Sequence, residues 1–345
     1  RDEGDARRVL GGLVQALERP ISLGATAVDV GLTCGFAVMG VHADNCLSLL
    51  ERSNVALDQA RGQRRRLATF DEQAYGDPAS NLTLMSEMLQ AAATGDLSLH
   101  YQPKLDLRSG NTFGVEALAR WRHPARGMLS PDLFVGMAEE TGHIRALTDW
   151  VLDRAIGDQA ALREAGCDLE VSVNVSGRLV GDRDFAEHAM DRIAQSGAKL
   201  CFEITETAVI DNPKLALELI EGYARAGIPI SIDDYGSGLS SLAYLKEIAA
   251  QELKIDKAFV LGLAAGQRDA LLIKSTVDLA HALGLKVVAE GVETAEAAAI
   301  LASMGCDYAQ GFYFARPMPR EALLQFVACQ AQAEPAPARR ASRRT

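Results

Sequence analysis

Residues 200–234, LCFEITETAVIDNPKLALELIEGYARAGIPISIDD, decide the fold class, because a strand, a helix and a second strand follow one another within them. The two β-prone runs cover residues 200–205 and 228–233, and the helical stretch between them covers residues 213–226. Strands that alternate with helices pair in parallel through crossover connections. The segment therefore predicts one repeat of an α/β sheet.

The same alternation continues on both sides of this segment. Predicted strands cover residues 97–105, 114–120, 170–175, 200–205, 228–233, 252–255, 286–290 and 308–312. Predicted helices between them include residues 131–140, 147–165, 213–226, 269–283 and 295–303. Eight such strands in about 230 residues are typical of a TIM-like (β/α)8 barrel, which takes ~250 residues. We therefore expect an α/β fold in which parallel strands close into a barrel.

The N-terminal residues have a different pattern. Residues 5–17 and 45–63 are predicted to be helical, and residues 21–30 and 32–41 alternate loosely, which is typical of a β-hairpin. A turn cluster separates them from a helix over residues 81–93. We expect a small partial α+β segment over residues 1–75, a linker helix over 76–96, the barrel over 97–328 and a disordered tail over 329–345.

Composition and charge exclude several classes of protein. Hydrophobic residues make up 48% of the chain and charged residues 23%, so wholesale disorder is excluded. The 46 acidic residues outnumber the 35 basic ones, and the net charge is -11. This balance argues against a protein that binds nucleic-acid polymers or anionic membranes.

The cysteines and the absence of targeting signals bear on the compartment. The six cysteines are scattered without a C-x-x-C pair, so we expect reduced thiols rather than a disulfide framework. No secretory leader or membrane span is visible, which predicts a cytoplasmic protein without membrane contact within this chain. Because the chain begins with Arg1, the alternative is the cytoplasmic part of a longer, membrane-anchored protein.

Polar residues stand at the ends of the predicted strands. A charged residue inside an apolar β-run is costly unless it is paired or bound to a cation. Successive strands nevertheless each carry an acid, an amide or a lysine: Glu116, Asn174, Glu203, Asp233, Asp234, Lys254, Asp256, Glu290 and Gln310. Because the strand ends of a barrel meet at one face, which is where barrel enzymes place their chemistry, the set predicts an active site.

The chemistry of these side chains favours divalent metal ions. Carboxylates gathered without a counter-ion would repel one another and take up protons. All the convergent groups are oxygen donors, with no histidine pair or cysteine cluster among them, which selects Mg²⁺ or Mn²⁺, with Ca²⁺ as an inhibitory substitute. The adjacent Asp233 and Asp234 can serve two neighbouring ions, and two ions are a standard device for in-line attack on a phosphodiester.

Two features of this region have alternative interpretations. Lys254 is either a counter-charge to the acids or the group that positions or deprotonates an attacking water. The second role requires metals to lower its pKa, since the carboxylates alone would keep it protonated. The stretch DYGSGLSS at residues 234–241 is either an ordinary turn or a mobile loop that couples the metal sites to a partner subunit or substrate, with Glu206 to pin it.

With these residues in view, residues 97 to about 328 resemble an EAL domain, the cyclic di-GMP phosphodiesterase family. The name-giving residues are Glu116-Ala117-Leu118. Other family blocks follow in order along the barrel: Tyr101-Gln102-Pro103, Arg120-Trp121, Asn174, Glu203-Ile-Thr-Glu206, Asp233-Asp234-Tyr-Gly-Ser-Gly, Leu-Lys254-Ile-Asp256, Ala-Glu290-Gly-Val-Glu293-Thr and Gln310-Gly-Phe. The resemblance implies a metal-dependent enzyme that hydrolyses one phosphodiester bond of cyclic di-GMP to linear pGpG and lowers second-messenger levels, and it favours a homodimer.

The resemblance also implies roles for individual residues. One metal would be held by Glu116, Asn174, Glu203 and Asp233, and the second would be reached by Asp233 and Asp234, with Glu290 completing the shell. Lys254 would orient the nucleophilic water, so that the catalytic group comprises Lys254, Glu116 and Glu290. Substrate would be bound by Gln102, Arg120, Asp256 and Gln310, and Glu206 would anchor the following loop. No departure from the family pattern removes a metal ligand, which favours a working enzyme.

Residues 1–75 resemble the last part of a GGDEF domain, through Leu32-Thr-Cys-Gly-Phe-Ala37 and Ala56-Leu-Asp-Gln-Ala60-Arg61. The signature that would bind GTP is absent from the chain, so we expect no cyclase activity from it. Two other functions remain as alternatives. One is a catalytically weak cyclic di-GMP receptor that signals through its N-terminal segment. The other is an enolase-like barrel that abstracts a proton next to a carboxylate, against which the Asp233-Asp234 pair argues.

Overall fold

The computed structural model describes residues 3–17, 21–23, 26–28, 31–62, 65–71, 78–209, 213–236, 245–263 and 267–332. The chain forms two compact units, Arg1–Leu84 and Met85–Thr345. Their boundary falls inside the predicted linker over residues 76–96, and the domain limits given above stay predictions. The predicted tail lies outside the described residues from residue 333 onward. None of the helices in the described ranges is long and apolar enough to cross a bilayer.

Within its described residues, the first unit contains short strands and two complete helices. In chain order its elements are α1 Glu3–Ala16, β1 Ile21–Leu23, β2 Thr26–Val28, β3 Cys34–Phe36, α2 Cys46–Gly62 and β4 Leu67–Thr69. The predicted hairpin between residues 21–30 and 32–41 is wrong, because β1 pairs antiparallel with β2, whereas β3 pairs in parallel with β4. The reason is packing: β3 lies against α2, where a Cβ on Gly35 would come within 1.9 Å of the Leu57 nitrogen.

The second unit alternates strands and helices, as predicted. Its strands are β5 Leu97–Asp106, β6 Thr112–His123, β7 Gly127–Leu129, β8 Glu170–Asn174, β9 Leu200–Thr205, β10 Ile230–Tyr235, β11 Glu252–Ile255, β12 Lys286–Ala289 and β13 Tyr308–Ala309. The helices, beginning with one that spans the unit boundary, are α3 Pro78–Thr94, α4 Pro131–Glu140, α5 Ile144–Glu164, α6 Gly177–Val180, α7 Arg183–Ser196, α8 Pro213–Arg225, α9 Lys257–Gly262, α10 Gln267–Ala282, α11 Ala295–Ser303 and α12 Arg320–Gln332. A 3₁₀ turn occupies Glu206–Val209.

Eight of these strands close into a barrel in the order β5, β13, β12, β11, β10, β9, β8, β6, with β6 paired back to β5. This confirms the TIM-like barrel, with β7 as an additional strand on β6. The expectation of parallel pairing throughout is wrong for β5, which is antiparallel to both β6 and β13. The connection over residues 107–111 is a short hairpin, whereas a parallel pair needs a crossover of about a dozen residues or more.

The last strand is shorter than predicted, and its early end positions a site residue. The strand β13 covers only Tyr308–Ala309 rather than residues 308–312. A Cβ on Gly311 would lie 2.1 Å from the Val292 carbonyl oxygen, so the chain approaches the neighbouring loop closely here. The backbone N–H of Gln310 donates to the Ala289 carbonyl, and the backbone carbonyl of Gln310 accepts from the backbone N–H of Val292. Gln310 is therefore held at the barrel mouth by backbone hydrogen bonds on both sides.

Candidate active site

The barrel brings the predicted strand-end residues together at the carboxyl ends of its parallel strands. They come from nearly every strand: Glu116 from β6, Asn174 from β8, Glu203 from β9, Asp233 and Asp234 from β10, Lys254 from β11, Glu290 after β12 and Gln310 after β13. Parallel strands with matched registers place their ends at one edge, which explains how residues so distant in sequence meet.

Lys254 lies at the centre of this group and is fully buried. Its Nζ is 2.6 Å from Glu290 Oε1, 2.7 Å from Glu203 Oε2, 3.1 Å from Asp233 Oδ1 and 3.8 Å from Glu116 Oε2. One buried ammonium thus faces four carboxylates. The negative charge exceeds what this cation can balance, which is the electrostatic condition for binding further cations.

The carboxylate of Glu116 is oriented by two amide side chains. Asn174 Nδ2 donates to Glu116 Oε1 at 2.8 Å, and Gln310 Nε2 donates to Glu116 Oε2 at 2.6 Å. The same Gln310 Nε2 lies 3.1 Å from Gln102 Oε1, and Gln102 Nε2 donates to the Ala315 carbonyl at 3.0 Å. Gln102 and Gln310 therefore support Glu116 here, and their contact with substrate stays a prediction.

Burial and mutual repulsion perturb the pKa values of the acids. Burial raises the pKa of Glu290 to about 8, even though the neighbouring Lys254 opposes that shift. The pKa of Glu116 is raised for the same reason. Burial also opposes ionisation of Glu203, but Lys254 and Lys104 outweigh it and lower its pKa. For Lys254, burial favours the neutral form, but the surrounding carboxylates outweigh burial and hold its pKa well above the usual value, so it is a cation in this arrangement.

The adjacent pair on β10 has an unusual backbone. Asp234 has a φ of 54°, and it is the one non-glycine residue with a positive φ in the ranges that the structure describes. Its backbone N–H donates to Asp233 Oδ1 at 2.9 Å. Burial, followed by the charge of Asp233, raises the pKa of Asp234 to about 6. Backbone strain of this kind is concentrated at functional sites, so it marks Asp234 as a candidate site residue.

The oxygen donors fit a hard divalent cation. Asp233, Asp234 and Glu290 each offer a carboxylate oxygen, and the three oxygens lie within 4.8 Å of one another. Carboxylate and amide oxygens are the ligands that Mg²⁺ and Mn²⁺ prefer. The structure thus contains an acidic cluster able to hold a metal. The carboxylates of two further predicted ligands, Glu116 and Glu203, lie within 3.8 Å of Lys254 Nζ, as does that of Asp233.

The remaining predicted site residues have different surroundings. Arg120 is half-buried, donates to the Ala119 carbonyl at 2.8 Å, and lines a cavity of about 510 Å³ that also touches Asn174 and Asp234. Asp256 caps α9 by accepting from the Ala258 amide at 2.7 Å, a structural role that the sequence prediction of substrate binding did not include.

Glu206 opens the 3₁₀ turn after β9. The loop that it was predicted to anchor lies outside the described residues from residue 237 to residue 241, so the anchoring role stays a prediction.

Sequence reasoning missed a second buried lysine below the first. Lys104 Nζ donates to Ser172 Oγ at 2.7 Å and to Glu252 Oε1 at 3.0 Å, and it lies 3.5 Å from Glu203 Oε1. The criterion that found the strand-end acids, a charge inside an apolar β-run, applies equally to Lys104 on β5 and Glu252 on β11. Their alternation with Gln102 and Lys254, two residues along the same strands, places them on the barrel interior.

Comparison with known proteins assigns the barrel to a family. The family model of the EAL domain matches residues 85–317. The cyclic di-GMP phosphodiesterase NbdA of Pseudomonas aeruginosa is 37% identical over 320 residues, which cover 91% of this chain and 41% of NbdA. The bifunctional diguanylate cyclase/cyclic di-GMP phosphodiesterase MucR of the same organism is 35% identical over 333 residues, 95% of this chain and 49% of MucR.

A solved structure shows the same architecture. The PaMucR phosphodiesterase in its c-di-GMP complex matches with a TM-score of 0.67 at 38% identity, covering 70% of this chain and 99% of that one. This chain spans less than half the length of NbdA and MucR.

Proposed function

Because this chain belongs to the EAL domain family, we propose that it hydrolyses one phosphodiester bond of cyclic di-GMP to give linear pGpG. The observation that carries the proposal is the group of four carboxylates around the buried Lys254 at the barrel mouth. Such an excess of negative charge is costly in a protein that binds only neutral molecules. It is suited to a site that binds an anionic substrate through divalent cations.

The proposed cofactors are two Mg²⁺ or Mn²⁺ ions, with Ca²⁺ as an inhibitory substitute. One ion would be held by Glu116, Asn174, Glu203 and Asp233, the second by Asp233 and Asp234, with Glu290 completing the shell. When bound, the ions would neutralise charge on the phosphate and activate water for in-line attack. The fit of the second group is supported by the three carboxylate oxygens of Asp233, Asp234 and Glu290.

The chain's own residues would position the reactants. Lys254 is held by carboxylates that keep it protonated, so we propose that it orients the attacking water as a hydrogen-bond donor rather than removing its proton. Asn174 and Gln310 fix the rotamer of Glu116 through hydrogen bonds to its two oxygens. Arg120, beside the cavity of about 510 Å³, offers a guanidinium for a phosphate or a guanine edge.

Two further points belong to this proposal. A homodimer rests on the family resemblance. A cytoplasmic location is supported by the cysteines, all six of which are free thiols.

Membership of the EAL domain family excludes the enolase-like alternative.

The test is turnover of cyclic di-GMP. The purified protein incubated with cyclic di-GMP and Mn²⁺ should produce pGpG, measured by chromatography, and EDTA should stop the reaction. Glu116→Ala should abolish turnover because it removes a metal ligand that two amides orient. Wild-type rates in that variant would contradict the site assignment. Binding of cyclic di-GMP without turnover by the wild-type protein would favour the receptor alternative instead.

A further inference from the structure

A second layer of polar side chains lies inside the barrel, nearer the amino ends of the strands than Lys254. Its members are the ammonium of Lys104, the carboxylate of Glu252 and the hydroxyls of Ser172 and Ser231, all buried. Lys104 Nζ donates to Ser172 Oγ at 2.7 Å and to Glu252 Oε1 at 3.0 Å, and Ser231 Oγ donates to the same Glu252 oxygen at 3.0 Å. The four side chains form one connected network.

This network reaches the proposed metal site through Glu203. Lys104 Nζ lies 3.5 Å from Glu203 Oε1, while Lys254 Nζ lies 2.7 Å from Glu203 Oε2. Two ammonium groups therefore face the two oxygens of one fully buried carboxylate. Lys104 faces the oxygen that Lys254 does not contact, so tilting the plane of the carboxylate away from this arrangement weakens both attractions.

A purely structural role accounts poorly for this layer. The interior of most TIM barrels is filled by branched apolar side chains, and replacing a buried ion pair by apolar residues of similar volume is often neutral or stabilising. The Lys104–Glu252 pair is fully enclosed, with side chains that are 0% and 8% exposed. What the pair adds, and apolar packing cannot, is a fixed positive charge beneath Glu203.

We infer that Lys104 is a positioning residue for the metal site: it holds the Glu203 carboxylate in one orientation, with Oε2 toward the group around Lys254. Glu252 and the Ser172 hydroxyl fix the ammonium of Lys104 in turn. This role rests on the proposed function, because the orientation of Glu203 affects metal binding only if Glu203 is a metal ligand. Groups that orient metal ligands from behind typically change metal affinity by roughly 10- to 100-fold when removed.

The test separates positioning from stability. Lys104→Met alone leaves the buried carboxylate of Glu252 without a cationic partner. The double variant Lys104→Met/Glu252→Gln is therefore the informative one, because it removes both charges together. Glu252→Gln alone is the matched control, since it disturbs the same layer but keeps the ammonium beneath Glu203. For each protein, the Mn²⁺ dissociation constant is measured by calorimetry on the metal-free protein without nucleotide, and the urea midpoint reports folding.

We expect the double variant to bind Mn²⁺ at least about tenfold more weakly than the control, with urea midpoints close to each other. Equal Mn²⁺ affinities in the two proteins would overturn the positioning role. If the double variant does not fold, Ser172→Ala and Ser231→Ala replace the pair. Of these two hydroxyls, that of Ser172 accepts from Lys104, whereas that of Ser231 donates to Glu252. Weaker Mn²⁺ binding in Ser172→Ala than in Ser231→Ala is then expected, and equal binding overturns the inference.

The wild-type protein distinguishes this failure from failure of the proposed function. If the wild type binds Mn²⁺ and hydrolyses cyclic di-GMP while the double variant binds Mn²⁺ as the control does, only the role of Lys104 is wrong. If the wild type neither binds Mn²⁺ nor hydrolyses cyclic di-GMP, the proposed function fails and the positioning role fails with it.

Discussion

Lys254, at the barrel mouth, has one role in the metal-free protein and a second, proposed role in the protein with bound metal. Lys254 is the cation that the carboxylates of Glu116, Glu203, Asp233 and Glu290 surround. The same ammonium is the group that we propose to orient the attacking water when metal and substrate are bound. A variant at this position should therefore affect both stability and turnover, and the two effects can be measured separately.

We predict that Lys254→Met lowers kcat for cyclic di-GMP at saturating Mn²⁺ by roughly 10²–10³-fold, with KM changed much less. Without metal the variant leaves buried carboxylates unpaired and should lose about 3–5 kcal/mol of unfolding free energy. Steady-state kinetics and urea unfolding in EDTA measure the two effects. Lys274→Met, at an exposed lysine paired with Asp278, is the control and should change neither. A rise in KM with unchanged kcat would contradict the orienting role of Lys254.

The strained backbone of Asp234 predicts a conflict between stability and metal binding. A non-glycine residue with a φ of 54° costs about 1 kcal/mol relative to glycine. Asp234→Gly removes this strain and the repulsion from Asp233, so unfolding free energy in EDTA should rise by about 1 kcal/mol while Mn²⁺ binds more weakly. Asp234→Asn, which tolerates this backbone, is the control for lost charge. Unchanged Mn²⁺ affinity in both variants would exclude Asp234 as a ligand.

At the scale of elements, Asp307 links three consecutive parts of the barrel. It precedes β13 and accepts hydrogen bonds from His281 of α10 at 2.7 Å, from Lys286 of β12 at 2.8 Å and from the Val287 amide at 3.0 Å. Burial opposes ionisation, but the hydrogen bonds from Lys286, His281 and Val287 outweigh it and lower the pKa of Asp307 below its usual 3.8. The carboxylate therefore stabilises the join between α10, β12 and β13.

We predict that Asp307→Asn lowers the unfolding free energy by about 1–2 kcal/mol near neutral pH. Because the folded pKa lies below the unfolded value, this contribution is fully present above pH 3.8 and is lost as the pH falls through the folded pKa. Urea unfolding of both proteins between pH 3 and 7 measures the difference. A deficit that persists undiminished at pH 3 would show that the charge of Asp307 is not its source.

At the scale of the whole molecule, the proposed chemistry is confined to one unit. The described site residues and the family match over residues 85–317 lie in the unit Met85–Thr345. The match to the solved PaMucR structure covers 70% of this chain and 99% of the chain in that structure, so a barrel of this family is folded there by itself.

We predict that a fragment of residues 78–332, which retains all of α3, hydrolyses cyclic di-GMP with a kcat within a few-fold of the full chain. The N-terminal unit then contributes no group to the chemical step. Kinetics of both proteins at saturating Mn²⁺ test this, with circular dichroism to establish that the fragment is folded. A folded fragment that binds Mn²⁺ but does not turn over would assign the first unit a part in activity.

Local sequence pattern determined much of this protein. The alternation of β-prone and helical runs predicted the barrel, and acids at successive strand ends predicted where Glu116, Asp233 and Glu290 would meet. Both signals are local. The spacing of apolar residues along the chain indicates the type of element, and the carboxyl end of a strand indicates which residues reach the catalytic face of a barrel. The separate roles of the site residues remain predictions.

Tertiary structure alone decided which side chains touch. The antiparallel direction of β5, the pairing of Gln102 with the Ala315 carbonyl 213 residues away, and the second lysine beneath Glu203 all depend on how the barrel closes. Closure sets the register between strands that are distant in the chain, and a shift of one residue would exchange inward and outward side chains. A buried charge is visible in a sequence, but its partner is specified only by that register.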